Sequence, residues 1–127
     1  MERKNYLIDT NVAIYYFGLA LSAESEKFMD MILGERYSIS VINRIELLGF
    51  KGLTGNESEA LSYFVNNSNI FDLEEEIILK TIQIRKIYKI RLPDAIIAAT
   101  CLVNNYSLIT NNVKDFDKIA GLHFIKV

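Results

Sequence analysis

Two rhythms of apolar and polar residues divide the chain. Short apolar or alternating runs at Tyr6-Leu7-Ile8, Tyr37 to Val41, Asn69 to Leu73, Ser107 to Thr110 and His123 to Val127 predict strands, and the stretches between them carry helical spacing. Residues 12–21 and 24–33 read as helices, the second with Phe28, Met29, Ile32 and Leu33 on one stripe and Gly34 placed to end it. Ile42 to Phe50 resumes that spacing, and Thr54 with Glu57 forms a capping-box start for a helix reaching about Asn66. The longest helix runs from Glu74 to about Ile90, acidic at its start and basic at its end as the helix dipole favours. Pro93 suits the first position of a helix whose body, Ala95 to Val103, is apolar nearly all round and so predicts burial. Five short strands alternating with helices imply an α/β fold: a parallel sheet covered on both faces and joined by right-handed crossovers. No repeat, linker or second domain interrupts the pattern, so residues 1–127 are expected to form one domain.

Composition narrows the partners. At 127 residues the chain can bury a core without disulfide or metal. With 14 Lys+Arg against 16 Asp+Glu, the net charge of -2 excludes a basic coat that grips nucleic acid through many phosphates, so an anionic partner must be met locally or through a cation. One Cys (Cys101) and one His (His123) exclude an internal disulfide and a structural zinc site of thiolates and imidazoles. The longest apolar run, Val12 to Leu21, is far short of the roughly 20 residues that span a bilayer, and no signal-peptide core follows the N-terminus. A cytoplasmic protein is expected.

The acids carry the chemistry. In open parallel sheets the ligand site lies beyond the carboxyl ends of the strands, where strand order reverses. Asp9 and Thr110 end strands, Glu46 lies early in the helix after the second strand, and Asp94 opens the buried helix. Thr110-Asn111-Asn112-Val113-Lys114-Asp115-Phe116 leaves the fourth strand as a loop with a hydroxyl, two amides and a carboxylate. Each has an ordinary reading by itself, as a cap, a solvent-facing helix position, a first-turn acid or a surface loop. Together they fall at one end of the sheet, and two carboxylates about 4 Å apart repel by roughly 4 kcal/mol at an effective dielectric of 20. Such a group needs a divalent cation or must take up protons; an all-oxygen set points to Mg²⁺ or Mn²⁺ and to phosphodiester or phosphate-ester hydrolysis.

Four motifs, in order, resemble the PIN domain family, and more narrowly its VapC-type toxins: Leu7-Ile8-Asp9-Thr10-Asn11-Val12, Ser40 to Gly49 around Glu46, Leu92-Pro93-Asp94-Ala95 with the apolar run after it, and Leu108-Ile109-Thr110-Asn111-Asn112 with Asp115-Phe116. The resemblance implies a Rossmann-like five-stranded parallel sheet in the order 3-2-1-4-5 and a Mg²⁺- or Mn²⁺-dependent endoribonuclease. It makes Asp9, Glu46 and Asp94 the metal-binding and catalytic acids, with Asp115 as the fourth because Asn112 stands in the place often held by Asp. It gives Thr110 the task of orienting a ligand, leaves Asn11 to fix the turn after Asp9, and calls for attack by water rather than by a side chain. Asn111 replaces a frequent Arg, so the grip on RNA falls to Arg44, Arg91 and the lysines at 86 and 89. The resemblance also implies a homodimer and an antitoxin partner that enters the cleft. Tyr15, Tyr16, Phe17 and Leu19 then read as helix packing before interface, Cys101 as a core residue and His123 as structural.

Other classes fit less well. A phospho-aspartate receiver has a similar length and would use Asp72, Thr110 and Lys126, yet it needs an acid pair after the first strand and leaves Glu46 and Asp94 without a role. A dehalogenase-like phosphatase wants a second Asp where Asn11 stands. A dinucleotide-binding module wants a glycine-rich turn that Asp9-Thr10-Asn11-Val12-Ala13 does not offer. Within the family, the rivals are an RNA-processing nuclease without an antitoxin and a member that binds RNA without cutting it.

Overall fold

A computed structural model of the chain describes residues 4–127. The strands β1 (Tyr6–Ile8), β2 (Ser38–Ser40), β3 (Asn69–Phe71), β4 (Ser107–Thr110) and β5 (Phe124–Lys126) form one sheet in the order β3-β2-β1-β4-β5. Every pairing is parallel. Strand order reverses between β1 and β4, the place where this architecture opens a crevice.

Side-chain alternation along the two central strands builds two cores. Leu7 and Leu108 face a layer formed by α5 (Glu75–Ile87), α6 (Leu92–Asn104) and Phe116 of the short α7 (Val113–Phe116). Ile8 and Ile109 face the opposite layer, made by α1 (Thr10–Phe17), α2 (Ala23–Leu33), α3 (Val41–Leu48) and α4 (Gly55–Asn66). α6 lies against the sheet with Ala95 through Cys101 all buried, as its apolar composition predicts. The Thr54–Glu57 capping box forms, and Tyr37 stacks on Phe64 at 4.9 Å while donating its hydroxyl to the Phe64 carbonyl.

Several boundaries differ from the sequence reading for identifiable reasons. Ser40 belongs to β2 but also caps α3, so the helix starts at Val41 rather than Ile42. Gly34 ends α2 as expected, in a right-handed conformation. α5 stops at Ile87, three residues early, because Arg85 donates to the Ile90 carbonyl and Lys118 to the Lys89 carbonyl, which pull the following segment out of the helix. The Asn112–Phe116 segment, expected as loop, contains the turn of helix α7.

The first helix closes at Phe17 instead of running to Leu21. Gly18 caps it and Leu19 takes φ 56° with its side chain 80 % exposed. A leucine in the left-handed region carries a steric cost that glycine avoids. Leu19→Gly is therefore expected to stabilise the fold by about 0.5–1 kcal/mol, read as a higher urea midpoint with unchanged slope. A lower midpoint would show that this leucine contributes packing that outweighs its backbone strain.

The topology also disposes of the receiver alternative. That fold places its third strand beside the first, in the order 2-1-3-4-5, whereas β3 here is an edge strand and Asp72 beyond it is exposed.

Candidate active site

Pairing of Ile8 with Ile109 sets the next residues, Asp9 and Thr110, side by side at the carboxyl ends of β1 and β4. The Asp9 N–H donates to the Ile109 carbonyl at 2.9 Å, continuing the ladder one step. The Asp9 side chain is fixed twice: Oδ1 accepts the Thr10 N–H at 2.9 Å as the cap of α1, and Oδ2 accepts the Thr110 hydroxyl at 2.8 Å. Asp9 and Thr110 are both buried.

The other acids approach from three helices. Glu46 comes from the middle of α3, Asp94 from the first turn of α6 and Asp115 from α7, all half-buried. Asp9 and Asp94 feel the charges of their neighbours. Burial pushes the Asp9 carboxyl up to about 6 against the hydrogen bonds from Thr110 and Thr10, and the charges of Asp94 and Glu46 add to the rise. Asp94 is likewise raised, first by burial and then by Asp115 and Glu46, with the Arg91 guanidinium opposing. Among the described residues, no three of these side chains are already gathered into a metal cage. Asp9 is thus the anchored acid, and the others stand around it on helix positions.

The donor set fits a hard divalent cation. It consists of carboxylate oxygens with hydroxyls behind them, and it contains no thiolate or imidazole. Desolvation, with the repulsion of Asp94 and Glu46 added, makes the ionised form of Asp9 costly, and a bound divalent cation would offset that penalty.

The supporting residues have defined tasks. Asn112 donates its backbone N–H to the Thr110 hydroxyl at 3.0 Å and its side-chain amide to Asp115 Oδ2 at 2.9 Å, tying the β4 end to α7. Arg91 caps α6 and is exposed next to Asp94, and Arg44 is exposed on α3. Asn11 is exposed in the first turn of α1, where the turn is held by Asp9 instead. Cys101 is buried in the core with its thiol pushed up by desolvation and by the nearby Asp9 charge, which leaves it inert. His123 is exposed. Of the apolar residues at the end of α1 and just beyond it, Tyr16 and Phe17 pack against the core, while Tyr15 and Leu19 face outward.

Two site residues escaped the sequence reading, Thr10 and Asn43. Thr10 donates its hydroxyl to Glu46 Oε1 at 2.7 Å and accepts from Asn43 Nδ2 at 2.9 Å. Asn43 is fully buried and also accepts the Ser40 N–H at 2.8 Å, closing a capping box at the start of α3. The Ser-x-x-Asn spacing of Ser40 and Asn43 is the signal in the sequence that points to this cap.

Comparison with known proteins agrees with this fold. The family described as PIN domain matches residues 6–122. Ribonuclease VapC1 of Methanocaldococcus jannaschii is 31 % identical over 124 residues, spanning 93 % of this chain and 83 % of that protein. A chain of a toxin–antitoxin complex from Klebsiella pneumoniae is 30 % identical with a TM-score of 0.75, over 93 % of this chain and 95 % of that one. A chain of VapBC2 from Rickettsia felis, solved on a DNA fragment of its promoter, superposes with a TM-score of 0.79 at 21 % identity, over 96 % of this chain and 98 % of that one, and shows the shared fold.

Proposed function

The chain belongs to the PIN domain family, and from that premise we propose that it is a divalent-metal-dependent endoribonuclease of the VapC type, the toxin of a cytoplasmic toxin–antitoxin pair. The observation that carries the proposal is the arrangement of Asp9, Glu46, Asp94 and Asp115 around the β1–β4 switch point, with Asp9 raised to about 6 by burial and by its neighbours. The ribonuclease name of the relative from Methanocaldococcus jannaschii supports the substrate class, and the toxin–antitoxin complex from Klebsiella pneumoniae supports the partner.

Asp9, Glu46, Asp94 and Asp115 would hold Mg²⁺ or Mn²⁺. Such an ion, when bound, supplies Lewis acidity toward phosphate oxygens and makes water a competent nucleophile at neutral pH. The chain supplies the rest. Thr110 keeps Asp9 in place, the Asn112 amide keeps Asp115 at the cleft, and Arg91 and Arg44 offer the exposed guanidinium groups that meet flanking phosphates. Water attacks phosphorus, one P–O ester bond breaks, and no side chain becomes covalently attached. Homodimer formation belongs to the same reading, by analogy with the family.

The test is an RNA cleavage assay on purified protein. Cleavage of single-stranded or structured RNA is expected with added Mg²⁺ or Mn²⁺, with loss of at least about 100-fold on chelation and recovery when metal is restored. Intact RNA under both metals, with RNA still bound, would favour a non-cutting RNA-binding protein. Induced expression is expected to arrest growth, and a small protein encoded beside the gene is expected to relieve that arrest. Cleavage without arrest or relief would make the protein a processing nuclease.

A further inference from the structure

The Thr10–Asn43 pair has no assigned task, and its proton directions are fixed by its surroundings. The Ser40 N–H can only donate, so the Asn43 atom that meets it at 2.8 Å must be the carbonyl oxygen Oδ1. The amide nitrogen Nδ2 is then the atom facing Thr10, and it too can only donate, at 2.9 Å. The Thr10 hydroxyl accepts that hydrogen, and its own proton goes to Glu46 Oε1 at 2.7 Å. Asn43 is 0 % exposed and Thr10 8 %, so solvent does not compete for these bonds.

The same construction appears on the other side of the cleft. There the Asn112 N–H donates to the Thr110 hydroxyl, which donates to Asp9 Oδ2. In both, an amide that cannot accept stands behind a hydroxyl, and the hydroxyl is thereby committed to a carboxylate. The difference lies in the carboxylate. Asp9 is buried and held by a second bond from the Thr10 N–H, whereas Glu46 is half-buried at the end of a longer side chain, so one bond from Thr10 decides where its carboxylate points.

We propose that Thr10, oriented by the buried Asn43 amide, is a positioning residue for Glu46, committing Oε1 to the α1 side so that the carboxylate faces the other acids in a set orientation. The proposal rests on the nuclease reading, because the consequence of orienting Glu46 is a site already arranged for its cation. α1 and α3 are coupled by the same bonds, so Thr10 joins the acid that begins one helix to the acid in the middle of the other.

Mn²⁺ affinity, measured by electron paramagnetic resonance on the full chain without RNA, gives a readout independent of turnover. Thr10→Val is expected to weaken Mn²⁺ binding by about 10-fold and to lower kcat for a short RNA by a similar factor with KM unchanged, while Thr10→Ser restores both to within about three-fold. In a Glu46→Gln background, Thr10→Val should weaken Mn²⁺ binding no further, because the residue acts through Glu46. Thr10→Ala leaves room for a water beside Asn43 and serves if the valine variant does not fold. Wild-type Mn²⁺ affinity in the folded valine or alanine variant overturns the proposal, as does a serine variant as impaired as valine or full additivity with Glu46→Gln. A wild-type protein that neither binds Mn²⁺ nor cuts RNA removes the nuclease reading itself, and this proposal with it.

Discussion

Asp9→Asn is expected to make the metal-free protein more stable at pH 7.5 while abolishing RNA cleavage. The Asp9 carboxyl is raised from 3.8 to about 6, chiefly by desolvation and further by the Asp94 and Glu46 charges. A carboxyl whose folded value lies above its unfolded value keeps a proton in the folded state that the unfolded chain has released. Stability of the metal-free protein therefore falls as pH climbs from about 4 to about 6, and stays at the lower level above that, a difference of roughly 3 kcal/mol at most. Asn removes the charge and keeps the cap, since its carbonyl oxygen accepts the Thr10 N–H, while the bond to Thr110 reverses, the new amide donating and the hydroxyl accepting. The variant should gain about 1–2 kcal/mol at pH 7.5, seen as a Tm higher by about 3–8 °C in chelator, and should lose that advantage near pH 4. Added Mn²⁺ should raise the Tm of the wild type and leave the variant unmoved. A variant less stable than wild type at pH 7.5 but not near pH 4 would mean that the ionised carboxylate supports the fold, contrary to the burial that raises it.

That opposition between stability and activity follows from where the acids sit. The sheet edge is set by the two cores: Leu7 and Leu108 on one side, Ile8 and Ile109 on the other, all 0 % exposed. Those four side chains fix the register of β1 against β4, and the register delivers Asp9 and Thr110 to one spot. Hydrophobic burial thus supports an arrangement of charges that is unfavourable by itself.

The strand pattern and the positions of the four acids were legible from the residues because both depend on local signals, namely apolar runs and the residues that stop them. Asp9 is visible as the polar stop after Tyr6-Leu7-Ile8, and Asp94 as the acid beside the one proline. Strand order came through resemblance, since periodicity is silent on which parallel strands are neighbours. Thr10 and Asn43 stayed hidden because their importance is a contact 33 residues apart in sequence, and Asn43 stands at a buried position where an apolar residue is the usual occupant. Gly18 ended the first helix before Leu21 although the apolar run continues past it, because the backbone turn at Leu19 overrides hydrophobic spacing. The short α7 was obscured by four residues too few to establish a period.

Asp94→Asn is expected to lower RNA cleavage by at least about 100-fold with the fold intact. Asp94 opens α6, the helix most deeply set against the sheet, so its Cα position is determined by the buried Ala95–Cys101 body and not by its own charge. Asn suits a first helical turn nearly as well, and removing the charge relieves the repulsion that Asp115 and Glu46 exert on it. Circular dichroism and urea midpoint should therefore match or exceed those of the wild type. Arg91→Ala separates the electrostatic role from the ligating one. The Arg91 guanidinium opposes the rise in Asp94, so its loss should raise the Asp94 carboxyl further and move the acid limb of the cleavage profile to higher pH, with cleavage retained on the alkaline side. If Asp94→Asn cuts RNA at the wild-type rate, the carboxylates at this switch point are not the catalytic group. If Arg91→Ala leaves the acid limb in place and only raises KM, the guanidinium serves the phosphate backbone alone.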